Sequence, residues 1–496
     1  MEEAVKTTPD DADDNGVNRI GALPDEILSY ILSFLPTRES AATSVLSTRW
    51  RYLFISRPDI DLEFHDRNVK LKGNYHDPFK LFSDFISFAN RLILLRNGVP
   101  LRKFKLSVLW VVERFPLPLD SLISAALELC QLQELEIFVN EEKSNYIARL
   151  SPEGIFTCKT LTCLRIEWQG VELNVPHSVC LPNLKELCLV GPTLVHDGSV
   201  QRLILGCPLI QEVVLRCGLG HLEYSYADDA CIQIEIRDIS SPCLKKLVLS
   251  FIGILRTAIA VESKNLESLE YGVFGGVGHK ISINAPNIKY LACRGGVNGA
   301  NFIRHLKFLV RTEIGLLYGN LSSQNVFKLL NEVKSVESLC LEDLSLAGPD
   351  TSSFELPTFS NLISLEFKGS INYFYVGRLR SWKIIPSLIK SSPNLEKLVF
   401  DGMPWAFRAK KESVLLFREV FPKCSIEHLK EIEFTKFSES ECEFKLVEYL
   451  LQNGKALKKM MLGGSIKPSG WERIMSYQRC SEDCRIMVEK YGSINS

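Results

Sequence analysis

One phrase, LxxLxL with aliphatic or aromatic substitutes, recurs along most of this chain and restricts its folds more than any other feature. It reads LRKFKL at residue 101, LQELEI at 132, LTCLRI at 161, LKELCL at 184 and IQEVVL at 210. It continues as LKKLVL at 244, LESLEY at 266, IKYLAC at 288, VESLCL at 336, LISLEF at 362, LEKLVF at 395, LKEIEF at 429 and LKKMML at 457. LVRTEI at 309 is a degraded copy in the right place. The last three positions alternate as a short strand does, so Leu187 and Leu189 point inward while Cys188 faces out. Leu184 turns inward where the strand begins. One such unit cannot bury its apolar face alone, whereas stacked copies build a continuous core.

Proline precedes the first leucine by two at Pro182, Pro208, Pro242, Pro286 and Pro393, which sets an extended lead into each strand. Glycine follows the strand at Gly191, Gly218, Gly295, Gly369 and Gly402, where the chain must turn. The pattern resembles leucine-rich repeats, whose period is about 20–29 residues. It spans roughly residues 100–465, and the asparagine common just beyond LxxLxL is mostly absent. The expected fold is α/β: an uneven solenoid with mixed loops and helices on its convex side. Its concave face should show the residues between the paired apolars. These are Lys105, Glu136, Arg165, Cys188, Val214, Val248, Glu270, Ala292, Cys340, Glu366, Val399, Glu433 and Met461, with charges more common toward the ends. Small and apolar side chains dominate the middle, which fits either a protein-binding stripe or strands covered by their neighbours.

Ahead of the repeats lies LPDEILSYILSFLPTRESAATSVLSTRWRYLF, residues 23–54. Pro24 suits a first helical position, and Asp25 and Glu26 complement the helix N-terminus. Ile27, Leu28, Ile31, Leu32, Phe34 and Leu35 sweep an apolar face wider than that of an ordinary surface helix. Pro36 ends this helix, Thr37 can cap the next, and Ser47 can cap a third turn bearing Trp50, Leu53 and Phe54. About 40 residues rarely close a core unaided, so part of the apolar face should meet another protein.

This stretch resembles an F-box, especially its plant form, over roughly residues 19–60. The segment FPKCSIEHLKEIEFTKFSESECEFKLVEYLLQNGKALKKMML with YQRCSEDCRIMV, over 421–488, is similar to the FBD region that follows F-box and leucine-rich repeats in many plant proteins. FSESECEF lacks the glycine often found there. With the acidic, polar residues 1–18 read from their composition as a disordered tail, five parts are expected: that tail, an F-box over 19–60, a connector over 61–99, repeats over 100–420 and an FBD region over 421–488. The resemblance also implies docking to a Skp-type adaptor, and through it to a cullin, as the substrate-recruiting subunit of a ubiquitin ligase. Leu23, Pro24, Ile27, Leu28, Ile31, Leu32 and Leu46 would form the docking surface or its immediate support, with Trp50 and Leu53 from the third segment. The protein substrate and the residues that bind it are not identified. Two alternatives stay open: a receptor whose repeats bind a small molecule, and an F-box scaffold acting without the ligase.

The rest of the sequence narrows the chemistry. Lys+Arg 58 against Asp+Glu 59 gives a net charge of −1, so the whole chain offers no attraction to nucleic acid or an anionic membrane. No apolar run reaches bilayer length, and the acidic N-terminus is not a secretory signal, so a soluble intracellular protein is expected. Fifteen scattered cysteines then read as reduced thiols rather than a disulfide framework. GVFGGVGHKIS at 272–282 fails as a phosphate loop, because His279 precedes Lys280 and Ile281 replaces the required hydroxyl residue. No nucleophile, base and orienting group can be assembled, so neither an enzyme activity nor a cofactor or metal is expected. Nucleus and cytoplasm are not distinguished, RAKKES at 408–413 being a weak basic cluster.

Overall fold

The computed structural model of the protein describes residues 20–65, 78–110, 119–141, 149–150, 153–194, 198–219, 232–239, 241–252, 255–274, 280–295, 306–315, 323–342, 356–369, 384–402 and 426–489. The acidic tail expected over 1–18 and the glycines at 275–276 and 278 lie outside them. Among the described residues an 18-stranded sheet runs along the chain, and its strand pairings are parallel and, apart from one bulge, in register. Each repeat phrase supplies one strand. In Cys163–Trp168, Leu164, Ile166 and Trp168 are buried and the residues between them are half-exposed, as the alternation requires. Leu161, three residues before Leu164, is fully buried at the strand's start. The degraded copy also forms its strand, Arg311–Gly315, with Thr312 buried in a leucine's place.

The prolines act differently from the expected extended lead. Each occupies the second position of a tight turn closed by a backbone bond, as in Leu184 N–H to Leu181 O (3.2 Å), Ile210 to Cys207 (3.1 Å) and Ile288 to Ala285 (3.2 Å). Proline's fixed φ suits that position. Three of these prolines, Pro182, Pro286 and Pro393, are followed by an asparagine that bonds the preceding repeat. Asn183 donates its amide to Lys159 O (2.7 Å), Asn287 to Lys264 O (2.7 Å) and Asn394 to Ser360 O (2.8 Å). Each bond ties one repeat to the repeat before it. Gly191 lies within strand Glu186–Leu194 rather than after it, at the bulge between Val190 and Thr193. Its φ of +92° and the 2.8 Å from an ideal Cβ to Gln169 Cα leave room only for glycine.

Two parts of the architecture differ from expectation. The span expected as a connector begins with a strand, β1 (Asp59–His65), which pairs residue for residue with Lys103–Trp110. Ile60, Leu62 and Phe64 of β1 are buried in the main core, and helix Pro78–Leu95 packs behind it. Arg57 stands where the repeat's first leucine belongs, which hid this copy in the sequence. The return segments between strands are helical toward both ends, for example Asp120–Leu129 and Glu441–Asn453. In the middle they form a second parallel sheet, Ile232–Ile239, Leu255–Glu262 and Lys280–Asn284. The strands of the 421–488 region, Glu431–Phe434, Lys459–Gly463 and Arg485–Glu489, extend the main sheet without a break.

Candidate functional site

The N-terminal helices are α1 (Asp25–Ser33), α2 (Thr37–Ala42) and α3 (Thr48–Ile55), with one 3-10 turn, Thr43–Val45, after α2. Pro24 is the N-cap of α1 rather than its first residue. Ser47 caps α3 through its hydroxyl, which accepts from Trp50 N–H. Thr37 does not cap α2; its hydroxyl accepts instead from Asp61 N–H (3.0 Å) on the edge of β1. Arg49 fixes α3 to the start of α1, donating to Asp25 Oδ1 (2.6 Å), Gly21 O (2.7 Å) and Leu23 O (2.6 Å).

The wide apolar sweep of α1 divides between two tasks. Leu28 and Leu32 are fully buried with Trp50 and Leu53 in a small core, against which Leu23 and Leu35 are partly buried. Pro24, Ile27, Ile31 and Leu46 are exposed. Of the nine residues expected for docking, these four are free to touch a partner and the other five support them. Tyr30, Phe34, Val45 and Tyr52 are also exposed apolar residues, and Tyr30 and Phe34 meet edge to face with ring centroids 4.8 Å apart. Val45 is 86 % and Leu46 65 % exposed, high for aliphatic side chains in an ordered turn. Tyr30 and Tyr52 escaped the sequence reading because their ring hydroxyls blend into a polar face. Their shared exposure with isoleucine and phenylalanine is visible only in three dimensions.

The open face of the main sheet is the second candidate. Its central outward residues, Val248, Ala292 and Cys340, are buried even though they point away from the core. A network of charges lies among them. Arg294 donates from Nε to Glu342 (3.0 Å) and from its terminal nitrogens to Glu313 (2.6 Å) and Glu270 (3.4 Å). Arg311 bonds Glu313 from the other side (2.9 Å), and Lys368 lies 3.6 Å from Glu366. Burial pushes the Glu313 carboxyl up, but the Arg311 hydrogen bond and the charges of Lys368, Arg294 and Arg311 outweigh it and hold the group below the usual glutamate value. Burial likewise opposes the charge on Arg294, while Glu342 and Glu313 raise its pKa above the arginine norm. Cys340 beneath this network is pushed up mainly by burial and then by Glu366, which keeps it a thiol. The sequence reading named Glu270, Cys340 and Glu366 on this face but held charges to be commoner toward its ends, and it missed Arg294, Glu313 and Glu342. Glu313 sits in the degraded copy, and Arg294 and Glu342 sit two positions beyond the ladder's middle row.

Among the described residues no group of three or more His, Cys, Asp or Glu side chains could hold a metal ion. No described helix is long and apolar enough to cross a membrane. Beside the face, along the edge where the strands begin, runs an open groove of about 630 Å³ lined by Lys245, Asn265, Asn287, Lys289, Phe308 and Val310 among others.

Comparison with known proteins follows these divisions. The F-box domain family matches residues 20–60, the family described as FBD-associated F-box protein At5g56370, LRR repeats matches 121–298, and the FBD family matches 419–462. F-box/LRR-repeat protein At4g14103 of Arabidopsis thaliana is 30 % identical over 399 residues, covering 77 % of this chain and 91 % of that protein. F-box/LRR-repeat protein At4g14096, from the same plant, is 30 % identical over 459 residues, 89 % of this chain and 87 % of its own. A putative F-box/FBD/LRR-repeat protein, At5g22670, is 24 % identical over 488 residues, 95 % of this chain and 97 % of its own.

Proposed function

Because this chain belongs to the F-box/LRR-repeat family, we propose that it recruits a protein substrate to a Skp–cullin–F-box ubiquitin ligase. The exposed residues of α1 and of the turn after α2 dock a Skp-type adaptor, and the adaptor links the chain to the cullin. The repeats hold the substrate on the open face of the sheet. The chain performs no bond chemistry itself; it raises the effective concentration of substrate near the conjugating enzyme. Nucleic acid and membrane are not partners in this scheme. The observation that carries the reading is the division of the helical unit: Leu28 and Leu32 of α1 close a core while Ile27 and Ile31 of α1 and Leu46 of the turn after α2 stay exposed.

Co-expression with a plant Skp-type adaptor, followed by sizing, tests it. Ile31→Asp with Leu46→Asp puts charge on the exposed face only. It should leave the melting profile unchanged and weaken adaptor binding at least about 30-fold, the equivalent of about 2 kcal/mol for a desolvated, unpaired polar group. Leu28→Asp is the contrasting control, because it charges the small core and should unfold the helices. Wild-type chain that folds yet stays apart from every adaptor would sink the proposal.

A further inference from the structure

The two edges of the main sheet are treated differently. At the N-terminal edge, α2 lies against β1, and Thr37 accepts the outward Asp61 N–H. At the other edge the last strand, Arg485–Glu489, reads RIMVE and pairs with no second strand among the described residues. Ile486 and Val488 occupy the core-facing positions held one strand earlier by Met460 and Leu462, which are fully buried. Val488 is nonetheless 38 % exposed and Ile486 only partly buried. The end of the hydrophobic core is therefore open, beside an edge whose backbone groups can pair with another strand.

The strand's own sequence points to the occupant. Arg485 and Glu489 stand at its two ends on the open face, and neither side chain has an ion-pair partner among the described residues. Antiparallel pairing of two such strands about Met487 sets Arg485 opposite Glu489 of the second chain, and the reverse. The same register sets Ile486 opposite Val488 on the core side and joins the two open core ends. A two-fold contact of this kind closes on itself and makes a dimer rather than a fibre. From this self-complementarity we infer that the C-terminal strand is a homodimerisation edge, pairing with the same strand of a second copy of this chain. The inference is independent of adaptor docking, which uses the opposite end of the molecule.

Charge reversal tests the register. The purified full chain is sized by light scattering over a concentration series and should show a concentration-dependent dimer. Arg485→Glu alone, or Glu489→Arg alone, places like charges opposite each other twice in the dimer. Each should weaken association at least about tenfold. Both positions are exposed, so the melting temperature measured at concentrations where the wild type is monomeric should not move. An equimolar mixture of the two single variants pairs unlike charges again and should dimerise as wild type does, as should the double reversal. A wild-type chain that is monomeric throughout the series overturns the inference. Single variants that dimerise as tightly as wild type, or a mixture that stays monomeric, overturn it too.

Discussion

Arg294 serves three carboxylates on three different strands, and it reaches one of them over a gap. Glu342 is two strands away, and the strand between presents Gly315 at that level. A Cβ at position 315 would stand 3.0 Å from Glu342 Oε2 and 3.2 Å from Arg294 Cγ. Gly315→Ala should therefore pry this pair apart and cost about 1 kcal/mol, while Arg294→Gln should cost about 2 kcal/mol after discounting for partial exposure. The double variant should lose less than the sum, since both act on one contact. Melting temperatures of the four proteins measure that coupling, and full additivity would refute it. The network also has an acid limb. Glu313 is held below the usual glutamate value in the folded state, so its contribution is present above the unfolded pKa of about 4.3 and is lost as pH falls through the folded value. The stability difference between wild type and Arg294→Gln should shrink as pH drops below about 4; a difference that stays constant down to acid unfolding would remove Glu313 from the account.

At the scale of elements, the turn into helix Glu441–Asn453 is made without a glycine. Glu439 takes the left-handed conformation itself, at φ +57°, and its carboxylate accepts Lys467 N–H (2.8 Å). Ser440 and Glu443 then form a capping box. Glu443 is fully buried and accepts from Ser438 Oγ (2.6 Å), Ser440 N–H (2.9 Å) and Ser440 Oγ (2.8 Å). Glu443→Ala leaves those donors unanswered and should cost at least about 2 kcal/mol, read as a lower melting temperature, with Glu443→Gln recovering part of it. A Glu443→Ala protein as stable as wild type would show that the box is ornamental. The elements that were legible in the sequence are those whose signal is local. A strand announced by LKELCL or LEKLVF needs only its own six residues. β1 was hidden because Arg57 replaces one leucine. IQIEIRDI at 232–239 alternates like a strand but has no leading leucine to anchor it to the repeat. The Arg294–Glu342 bond joins residues 48 apart and exists only because the strands stack in register. In the candidate docking site, periodicity identified the apolar face of α1, but which half of that face is buried depends on where α3 packs.

Across the whole molecule, the position of the helices relative to the repeats rests largely on Arg96. This arginine is 1 % exposed, at the end of helix Pro78–Leu95. Burial lowers its pKa from the arginine norm, with Cys130 opposing, and the guanidinium remains charged. It donates to Ile55 O (2.6 Å) and Arg57 O (2.8 Å) where α3 leaves the helical unit, and to Pro100 O (2.8 Å) where the next strand begins. A single buried side chain thus answers carbonyls on both sides of the junction. α3 spans it as well, with Trp50 and Leu53 in the small core and Phe54 in the large one. Such a junction holds the N-terminal helices at a fixed angle to the main sheet, and the recruiting role proposed above would depend on that angle to present its cargo. Arg96→Met keeps the apolar stem but strands the carbonyls of Ile55, Arg57 and Pro100, at roughly 1–3 kcal/mol each if no water reaches them. Amide exchange over residues 20–57 should then quicken at least tenfold while the repeat strands past Glu134 keep their protection, the signature of a unit that opens by itself. Arg96→Lys, with fewer donors in a different geometry, should fall between the two. Uniform loss of protection along the whole sheet would mean instead that Arg96 stabilises the repeats themselves and that the angle is set elsewhere.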